Sequence, residues 1–263
     1  MSSFSSRVSS LLHLFNQPVA AAPNDIRKNS WIIYVSILNR GVLPPDYRTD
    51  GDRVLSKLRN IPKWEEEWRT LTVWRGIQGI ESTLDEFLLH GLDVSQLNIP
   101  SAIFLNLLDL TTVSRISDRI SRVKYNGETW ILKIAHEIPA LRREVLVYSM
   151  LTLNAFPLAP KFIGFAYEET KAPIVGFLME DISGHHPDIH DLTDCMKTVH
   201  RLHTYGIVHG DLNRYNFLMT EDGAKISNFE VSVAQTNVDP AAAEEELNLL
   251  AIRLEDESGI GKR

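Results

Sequence analysis

The stretch HGDLNRYN, residues 209–216, belongs to a longer segment, GIVHGDLNRYNFLMTEDGAKISNFE, that covers residues 206–230. It places Asp211 and Asn216 in a polar loop directly after a predicted helix. A loop aspartate can orient or deprotonate a hydroxyl group. The amide oxygen of an asparagine, together with a nearby carboxylate, can bind magnesium. The segment therefore predicts a loop that positions polar side chains for chemistry, although Asp211 alone could also cap a turn and Asn216 alone could brace a loop.

Upstream of this loop, a lysine and a glutamate are spaced to form an ion pair. Lys133 lies in the alternating segment TWILKIA, which predicts a strand, and Glu144 follows eleven residues later on a predicted helix. A lysine from a sheet and a glutamate from the adjacent helix can form a partly buried pair, which holds a cation where phosphate oxygens could bind. The alternative is that both side chains are exposed and solvated.

The pattern of residues 101–263 predicts an α+β plan with two lobes. A small lobe of about residues 101–182 is expected to form a five-stranded sheet with one inserted helix, and a truncated helical lobe is expected over 183–263. Asn126-Gly127 is a strong signal for a two-residue hairpin within the sheet. The expected elements are, in chain order, three strands within 104–135, a helix at 137–153, strands at 161–170 and 173–182, and helices at 191–206 and 241–257.

The first 100 residues are predicted to lie outside this plan. Residues 1–28 are expected to form a flexible tail. A mitochondrial transit peptide is the alternative, but only one arginine precedes Arg27. Residues 29–100 are expected to form an extension of unknown role with its own packing, because large aromatic side chains need partners. Its tryptophans are Trp31, Trp64, Trp68 and Trp74.

Within this extension, SWIIYVSIL and WRTLTVWRG predict strands, and DGDRVLSKLRN predicts a helix. The segment STLDEFLLHG, residues 82–91, predicts a second helix. Ser82 would be its N-cap, acidic residues would occupy the first turn, and Gly91 would end it.

Composition excludes several classes of protein. The formal net charge of −7 argues against a nucleic-acid-binding surface. No apolar run approaches the roughly 20 residues that a membrane-spanning helix needs. The single cysteine, Cys195, cannot form an internal disulfide, which favours a reducing, cytoplasmic compartment. Cys195 lies in a predicted helix and is interpreted as a packed small residue.

The Lys133, Glu144 and HGDLNRYN pattern resembles the protein-kinase-like superfamily over roughly residues 105–257. It is most similar to the short HGD-type members, such as aminoglycoside and choline phosphotransferases, and to short kinase-like proteins of fungi. The resemblance implies ATP and Mg²⁺ as cofactors and a nucleotide as partner. It also implies these roles: Lys133 on the phosphates, Glu144 as its ion-pair partner, Asp211 as catalytic base, Asn216 and Asn228 as magnesium ligands, and a hinge at 177–181 that includes Met179 and Asp181.

The chain departs from that family at several positions. No glycine stands between Gly91 and Gly127, so the glycine-rich loop that covers phosphates is missing. Ser114 or Ser117 could supply hydroxyl and amide donors instead. Asn228 stands where the family has its principal metal-binding aspartate. A neutral amide oxygen is a weaker magnesium ligand than a carboxylate.

Two functions follow from this pattern, and reuse of the fold for chemistry other than phosphoryl transfer is a third possibility. The first is an ATP-dependent phosphotransferase that acts on a small molecule or an unusual substrate, and the second is a pseudokinase that serves as a nucleotide-binding or interaction module. The residues shared with the family favour the first, whereas Asn228 and the missing glycine loop favour the second. Glu230 is a candidate surrogate metal ligand or a surface carboxylate. The run Glu244–Glu246 is expected to be a solvated first turn of the last helix.

Overall fold

The computed structural model describes residues 24–28, 31–38, 41–43, 51–85, 91–97, 99–117, 119–135, 137–168, 171, 174–236, 238–256 and 258–259. The chain divides into two compact units, Met1–His90 and Gly91–Arg263. The sequence predicts the boundary near residue 100. Leu92 lies in the second unit because its backbone exchanges hydrogen bonds with Ile174, at 2.7 and 3.0 Å. Most of the predicted tail, residues 1–23, lies outside the described residues.

The first unit is a four-stranded sheet in the order β1-β2-β3-β4. β2 and β3 are parallel, with helix α1 between them in the chain, and the other pairs are antiparallel. Buried apolar side chains from β2, α1 and β3 form its core, in which Trp64 and Trp68 meet edge to face at 5.4 Å. The elements are β1 Asn24–Lys28, β2 Trp31–Ile37, α1 Gly51–Leu58, β3 Thr70–Gly76 and β4 Gly79–Asp85.

The helix predicted at 82–91 is wrong over its first four residues. Ser82 to Asp85 belong to β4 and pair with β3 in register from Thr70↔Asp85 to Gly76↔Gly79. The hydroxyl of Ser82 donates to the carbonyl of Pro62 at 2.6 Å rather than capping a helix. Long-range strand pairing therefore prevails over a local capping pattern. The strand β1 likewise lies inside the segment that was expected to be a tail, because it pairs with β2.

The second unit contains a six-stranded sheet in the order β5-β9-β10-β8-β7-β6. The predicted sheet had five strands. The segment expected to be one strand at 104–116 is interrupted by the 3₁₀ turn Leu107–Asp109, and the part before the turn pairs in parallel with β9 at the edge of the sheet. The elements are β5 Ile103–Asn106, β6 Thr111–Arg115, β7 Ile120–Tyr125, β8 Glu128–Ile134, α2 Ile138–Leu153, β9 Phe162–Tyr167 and β10 Ile174–Glu180.

The rest of the second unit is a small, mostly helical lobe. Two short antiparallel strand pairs, β11–β14 and β12–β13, hold the loop regions next to its helices. This confirms the predicted α+β plan of a sheet lobe followed by a shortened helical lobe. The elements are α3 Leu192–Thr204, β11 Ile207–Val208, β12 Phe217–Thr220, β13 Gly223–Ile226, β14 Val233–Ala234 and α4 Pro240–Glu255. Within the described residues, no helix is both long and apolar enough to cross a membrane.

Local sequence explains how these elements turn and end. Asn126 and Gly127, with φ of 48° and 90°, form the two-residue hairpin between β7 and β8, as predicted. Asp239 caps α4 by accepting from the backbone N–H of Ala241 at 3.0 Å, and Pro240 begins that helix. Gly206 follows α3 with φ of 77°, a left-handed conformation that favours glycine.

Gly206 and Gly127 make a matched test of this turn geometry. Both have positive φ, so alanine should cost about 1 kcal/mol of stability at either position. At Gly206 a Cβ would also lie 2.1 Å from the carbonyl oxygen of Gln235, whereas at Gly127 nothing lies within 4 Å. Gly206→Ala should therefore lose about 2–4 kcal/mol in denaturant unfolding. Equal losses in the two variants would contradict the close approach of residues 206 and 235.

Candidate functional site

Lys133 is the central cation of the site. It lies on β8 with only 3% of its surface exposed. Its Nζ is 2.8 Å from Oε2 of Glu144, 2.8 Å from Oδ1 of Asn228 and 3.2 Å from Oε1 of Glu230. The structure thus brings together a strand, a helix and the 228–230 loop around one ammonium group. The predicted ion pair between Lys133 and Glu144 is present and buried.

Glu144 joins α2 to this loop as well as to β8. Its side chain is 2% exposed, and Oε1 accepts from the backbone N–H of Phe229 at 3.2 Å. Burial raises the pKa of Glu144, and the Lys133 ammonium opposes that rise. Phe229 is itself buried and packs edge to face on Tyr148 of α2 at 5.3 Å. The helix therefore positions the loop through both a charged and an apolar contact.

Three links form a directional hydrogen-bond relay, the amide relay, from Lys133 to Asp211. Lys133 Nζ donates to Oδ1 of Asn228 at 2.8 Å. The Nδ2 of Asn228 donates to Oδ1 of Asn216 at 3.0 Å. The Nδ2 of Asn216 donates to the backbone carbonyl of Asp211 at 2.6 Å. The relay joins Lys133, the two asparagines predicted to bind magnesium and the backbone of the predicted base.

The two ends of the amide relay fix the orientation of both amides. An ammonium group can only donate, so the atom of Asn228 that faces Lys133 must be its oxygen. A backbone carbonyl can only accept, so the atom of Asn216 that faces residue 211 must be its nitrogen. With both ends fixed, the nitrogen of Asn228 faces the oxygen of Asn216, so a donor faces an acceptor there too. Asn228 adopts φ of 71°, a left-handed conformation that asparagine tolerates better than most residues.

The loop that carries Asp211 is held by a buried histidine. Asp211 is partly buried, and its backbone N–H donates to Nδ1 of His209 at 3.3 Å. The Nε2 of His209 lies 3.0 Å from the carbonyl of Ser227, so this nitrogen carries the proton. Burial lowers the pKa of His209, which keeps the ring neutral. The histidine thereby ties the 209–211 loop to the strand that leads to Asn228.

Glu246 of α4 holds the same loop from the other side. Its carboxylate accepts from the backbone N–H of Gly210 at 2.5 Å and of His209 at 3.2 Å, and it lies 2.8 Å from Nε2 of His203. Burial alone would raise the pKa of Glu246, but the hydrogen bonds from His203 and the two amides lower it. The prediction of a solvated turn holds for Glu244 and Glu245, which are exposed, and is wrong for Glu246.

Glu230 is a buried, paired carboxylate rather than a surface carboxylate. It accepts from Arg119 through both oxygens, at 2.7 and 3.3 Å, and contacts Lys133. Arg119 comes from the turn between β6 and β7, where the family has its phosphate-covering loop. The backbone carbonyl of Glu230 also accepts from Nε of Arg143 at 2.7 Å. Glu230 therefore ties the sheet lobe to the loop of the helical lobe.

The remaining predicted site residues lie along the sheet. Ser114 accepts from Arg122 at 3.3 Å. Ser117 donates its backbone N–H to the carbonyl of Ile120 at 3.0 Å, so that amide is already used within the hairpin. Met179 accepts a hydrogen bond on its sulfur from Tyr148 at 3.4 Å. Asp181 does not stand alone at the predicted hinge, because Arg122 binds both of its oxygens, at 2.5 and 2.9 Å.

The side chains do not fit magnesium as they are arranged. The two predicted ligand oxygens, on Asn216 and Asn228, are neutral, and each already accepts a hydrogen bond. An amide N–H₂ group lies between the two side chains, and it repels a cation. Turning the Asn228 amide to present its oxygen would place that N–H₂ group against the Lys133 ammonium. In the described part of the chain, no group of three or more His, Cys, Asp or Glu residues could hold a metal ion.

Sequence reasoning missed three contacts that organise the site. They are the Arg119–Glu230 pair, the Arg122–Asp181 pair and the Glu246 contacts to residues 203, 209 and 210. Their partners are 111, 59 and 36 to 43 residues apart in the chain. No local pattern predicts pairing at such separations. Arg122 is an arginine within a strand, but such a residue is also typical of an exposed position.

Glu230 makes the stability of the protein depend on pH. Burial would raise its pKa, but the hydrogen bonds and charges of Arg119 and Lys133 lower it to about 2. A lowered pKa means stability that is present above the ordinary value of 4.5 and is lost as the pH falls towards 2. The shift corresponds to about 3 kcal/mol. The difference in unfolding free energy between wild type and Glu230→Gln should therefore be constant above about pH 5 and shrink below it.

Glu128→Gln is the matched control, because Glu128 is an exposed carboxylate at the start of β8. Its difference from wild type should stay small across the same range, as for most surface substitutions. If the stability difference for Glu230→Gln did not change between pH 6 and pH 3, the buried pairing of Glu230 would be refuted.

Two comparisons with known proteins bear on this arrangement. Comparison with curated proteins finds no match to the chain. The family described as the RIO domain matches residues 167–246, which include β10, the 209–216 loop and Asn228. The RIO domain is an atypical protein-kinase-like family, and RIO kinase-like domains generally bind ATP with Mg²⁺. The narrower resemblance to HGD-type phosphotransferases stays a prediction. Over residues 167–246, the chain is thus similar to an atypical kinase-like domain.

Proposed function

We propose that this chain is a pseudokinase, a kinase-like module that does not carry out magnesium-dependent phosphoryl transfer. The observation that carries the proposal is the amide of Asn228. Its oxygen accepts a hydrogen bond from Lys133, and its nitrogen donates one to Asn216. Asn216 and Asn228 are therefore joined directly, whereas a metal bound by both would have to lie between them. A kinase-like domain implies a nucleotide partner in general. The proposal leaves nucleotide binding open and denies only the transfer of a phosphoryl group.

The charges around Lys133 support the same conclusion. Lys133 and Arg119 supply two positive charges, and Glu144 and Glu230 supply two negative ones. These four charges balance one another without any further ion. An aspartate at residue 228 would leave one negative charge in excess, which a divalent cation could neutralise. With asparagine there, the cluster has no excess negative charge to attract a cation.

A second candidate is an ATP-dependent phosphotransferase, and the 209–216 loop favours it. The backbone of Asp211 is fixed by Asn216 at 2.6 Å and by His209 at 3.3 Å. Glu246 further holds residues 209 and 210. A carboxylate on a loop held this firmly suits the orientation of an acceptor hydroxyl. This candidate requires that phosphate be neutralised by Lys133 and Arg119 without a strong metal ligand at residue 228.

Asn228→Asp tests the proposal. Aspartate tolerates the left-handed conformation about as well as asparagine, so the backbone should be unaffected. The new carboxylate would face Oδ1 of Asn216 with two acceptors opposed, and stability in EDTA should fall by about 1–2 kcal/mol. Mg²⁺ should restore it, because a carboxylate is a good magnesium ligand. Thermal unfolding of the variant should therefore depend on Mg²⁺, whereas that of the wild type should not.

Asn154→Asp is the control for the added charge. Asn154 is exposed at the end of α2, so the same change there should give no Mg²⁺ dependence. Phosphoryl transfer is measured in parallel as release of phosphate from ATP. Magnesium-dependent turnover by the wild type that is lost in Asp211→Ala would refute the pseudokinase proposal and establish the second candidate.

A further inference from the structure

Strand register shows which side chains share the face of Lys133. Ile120 of β7, Lys133 of β8 and Phe177 of β10 form one row across the sheet. Arg122, Ile131 and Met179 form the row two residues away. Side chains two residues apart along a strand point to the same face. Arg122 therefore lies on the same face as Lys133, in the row that ends at Met179.

Arg122 crosses this face to reach the end of β10. Its Nε donates to Oδ2 of Asp181 at 2.5 Å and its second terminal nitrogen to Oδ1 at 2.9 Å, in a two-pronged contact. The strand β8 separates their backbones, since β7 pairs with β8 and β8 with β10. The guanidinium side chain must therefore extend over the row of Ile131 and Met179. Its third contact, with Ser114 at 3.3 Å, holds the other side of the group.

This position coincides with the place where a base would lie in a kinase-like site. The resemblance assigns phosphates to Lys133 and adenine to the hinge at 177–181. A nucleotide would then run along this face from the row of Lys133 to the row of Met179. Arg122 stands in the second of these rows, and the carboxylate that holds it belongs to Asp181, two residues beyond Met179. A base could enter that row only by breaking the two-pronged contact or by displacing the side chain from the sheet.

We propose that Arg122, held by Asp181, is the residue that sets ligand specificity at this cleft, because it excludes the nucleobase. The inference rests on the kinase-like site of the proposed function, but not on the loss of magnesium binding. Ligands that carry phosphate without a base are not excluded by Arg122. The cleft therefore distinguishes poorly between a nucleoside triphosphate and an inorganic polyphosphate.

Binding of ATP and of inorganic tripolyphosphate to the full-length chain tests this proposal, because the two probes differ by the nucleoside. Affinities are measured by calorimetry in EDTA. The wild type should bind ATP no more tightly than tripolyphosphate. Arg122→Val replaces the guanidinium with an apolar, strand-favouring side chain. This variant should bind ATP at least about tenfold more tightly than tripolyphosphate, because the base gains an apolar surface to lie on.

Two further variants separate the ion pair from general charge effects. Asp181→Asn leaves Arg122 without its carboxylate and should raise the ATP preference in the same direction. Lys124→Val removes a positive charge from the same face of β7, because Lys124 is two residues from Arg122. It should leave the preference of the wild type unchanged. Circular dichroism of each variant checks that the fold is retained.

Three outcomes would overturn the proposal. The first is a wild type that already prefers ATP over tripolyphosphate by tenfold or more. The second is an Arg122→Val variant that binds ATP more weakly than the wild type does, which would make Arg122 a reader of the base. The third is a folded Arg122→Val variant that binds neither probe or binds both equally. Failure of the proposed function is detected separately, as magnesium-dependent turnover by the wild type, whatever the ATP preference of these variants.

Discussion

The site depends on one constraint, that the ammonium group of Lys133 can donate hydrogen bonds but cannot accept them. Because Asn228 faces this group at 2.8 Å, its amide oxygen is committed to it and its nitrogen must point away. The nitrogen then selects the oxygen of Asn216, which in turn directs its own nitrogen to the carbonyl of residue 211. An aspartate at 228 could satisfy Lys133 equally well but could not donate onward. The substitution therefore changes the direction of hydrogen bonding as well as the charge.

Two buried glutamates connect this relay to the rest of the second unit. Glu144 links α2 to Lys133 of the sheet and to the backbone of Phe229. Glu246 links α4 to the backbone of the 209–210 loop and to His203 of α3. Each uses a carboxylate to satisfy backbone N–H groups of a loop that has no regular partner. The organisation of the loop thus survives independently of whether any phosphate chemistry is retained.

Sequence patterns predicted the elements whose determinants are local. The Asn126-Gly127 hairpin, α2 and α4 depend on turn residues, caps and helical periodicity within a few positions. The Lys133–Glu144 pair was also predictable, because its partners lie on adjacent elements, eleven residues apart.

The wrong predictions concern residues whose partners are distant in the chain. Ser82 to Asp85 carry a helix-like pattern, but they pair with β3 because the chain reverses at 76–79. Glutamate is usually an exposed residue, so the sequence does not distinguish Glu230 and Glu246 from other surface positions. Their burial depends on Arg119 and on the backbone amides of residues 209 and 210. A single sequence does not indicate which charged residues, far apart in the chain, will form an ion pair.

The distribution of charge in the cleft connects the two proposals, one on residue 228 as a metal ligand and one on Arg122 at the position of a base. Arg119, Arg122 and Lys133 lie on β7, β8 or the turn before β7, and each is matched by a carboxylate from elsewhere, namely Glu230, Asp181 and Glu144. An anionic ligand must therefore compete with carboxylates that are already in place, and at Lys133 and Arg119 that competition is inside the protein, where ions are poorly solvated. A divalent cation would normally offset this cost by neutralising the phosphates, but the amide of Asn228 offers it no charge. Under the proposed function, the internal ion pairs take over the neutralisation that magnesium and nucleotide provide in an active kinase-like site, and they connect the sheet lobe to the loop.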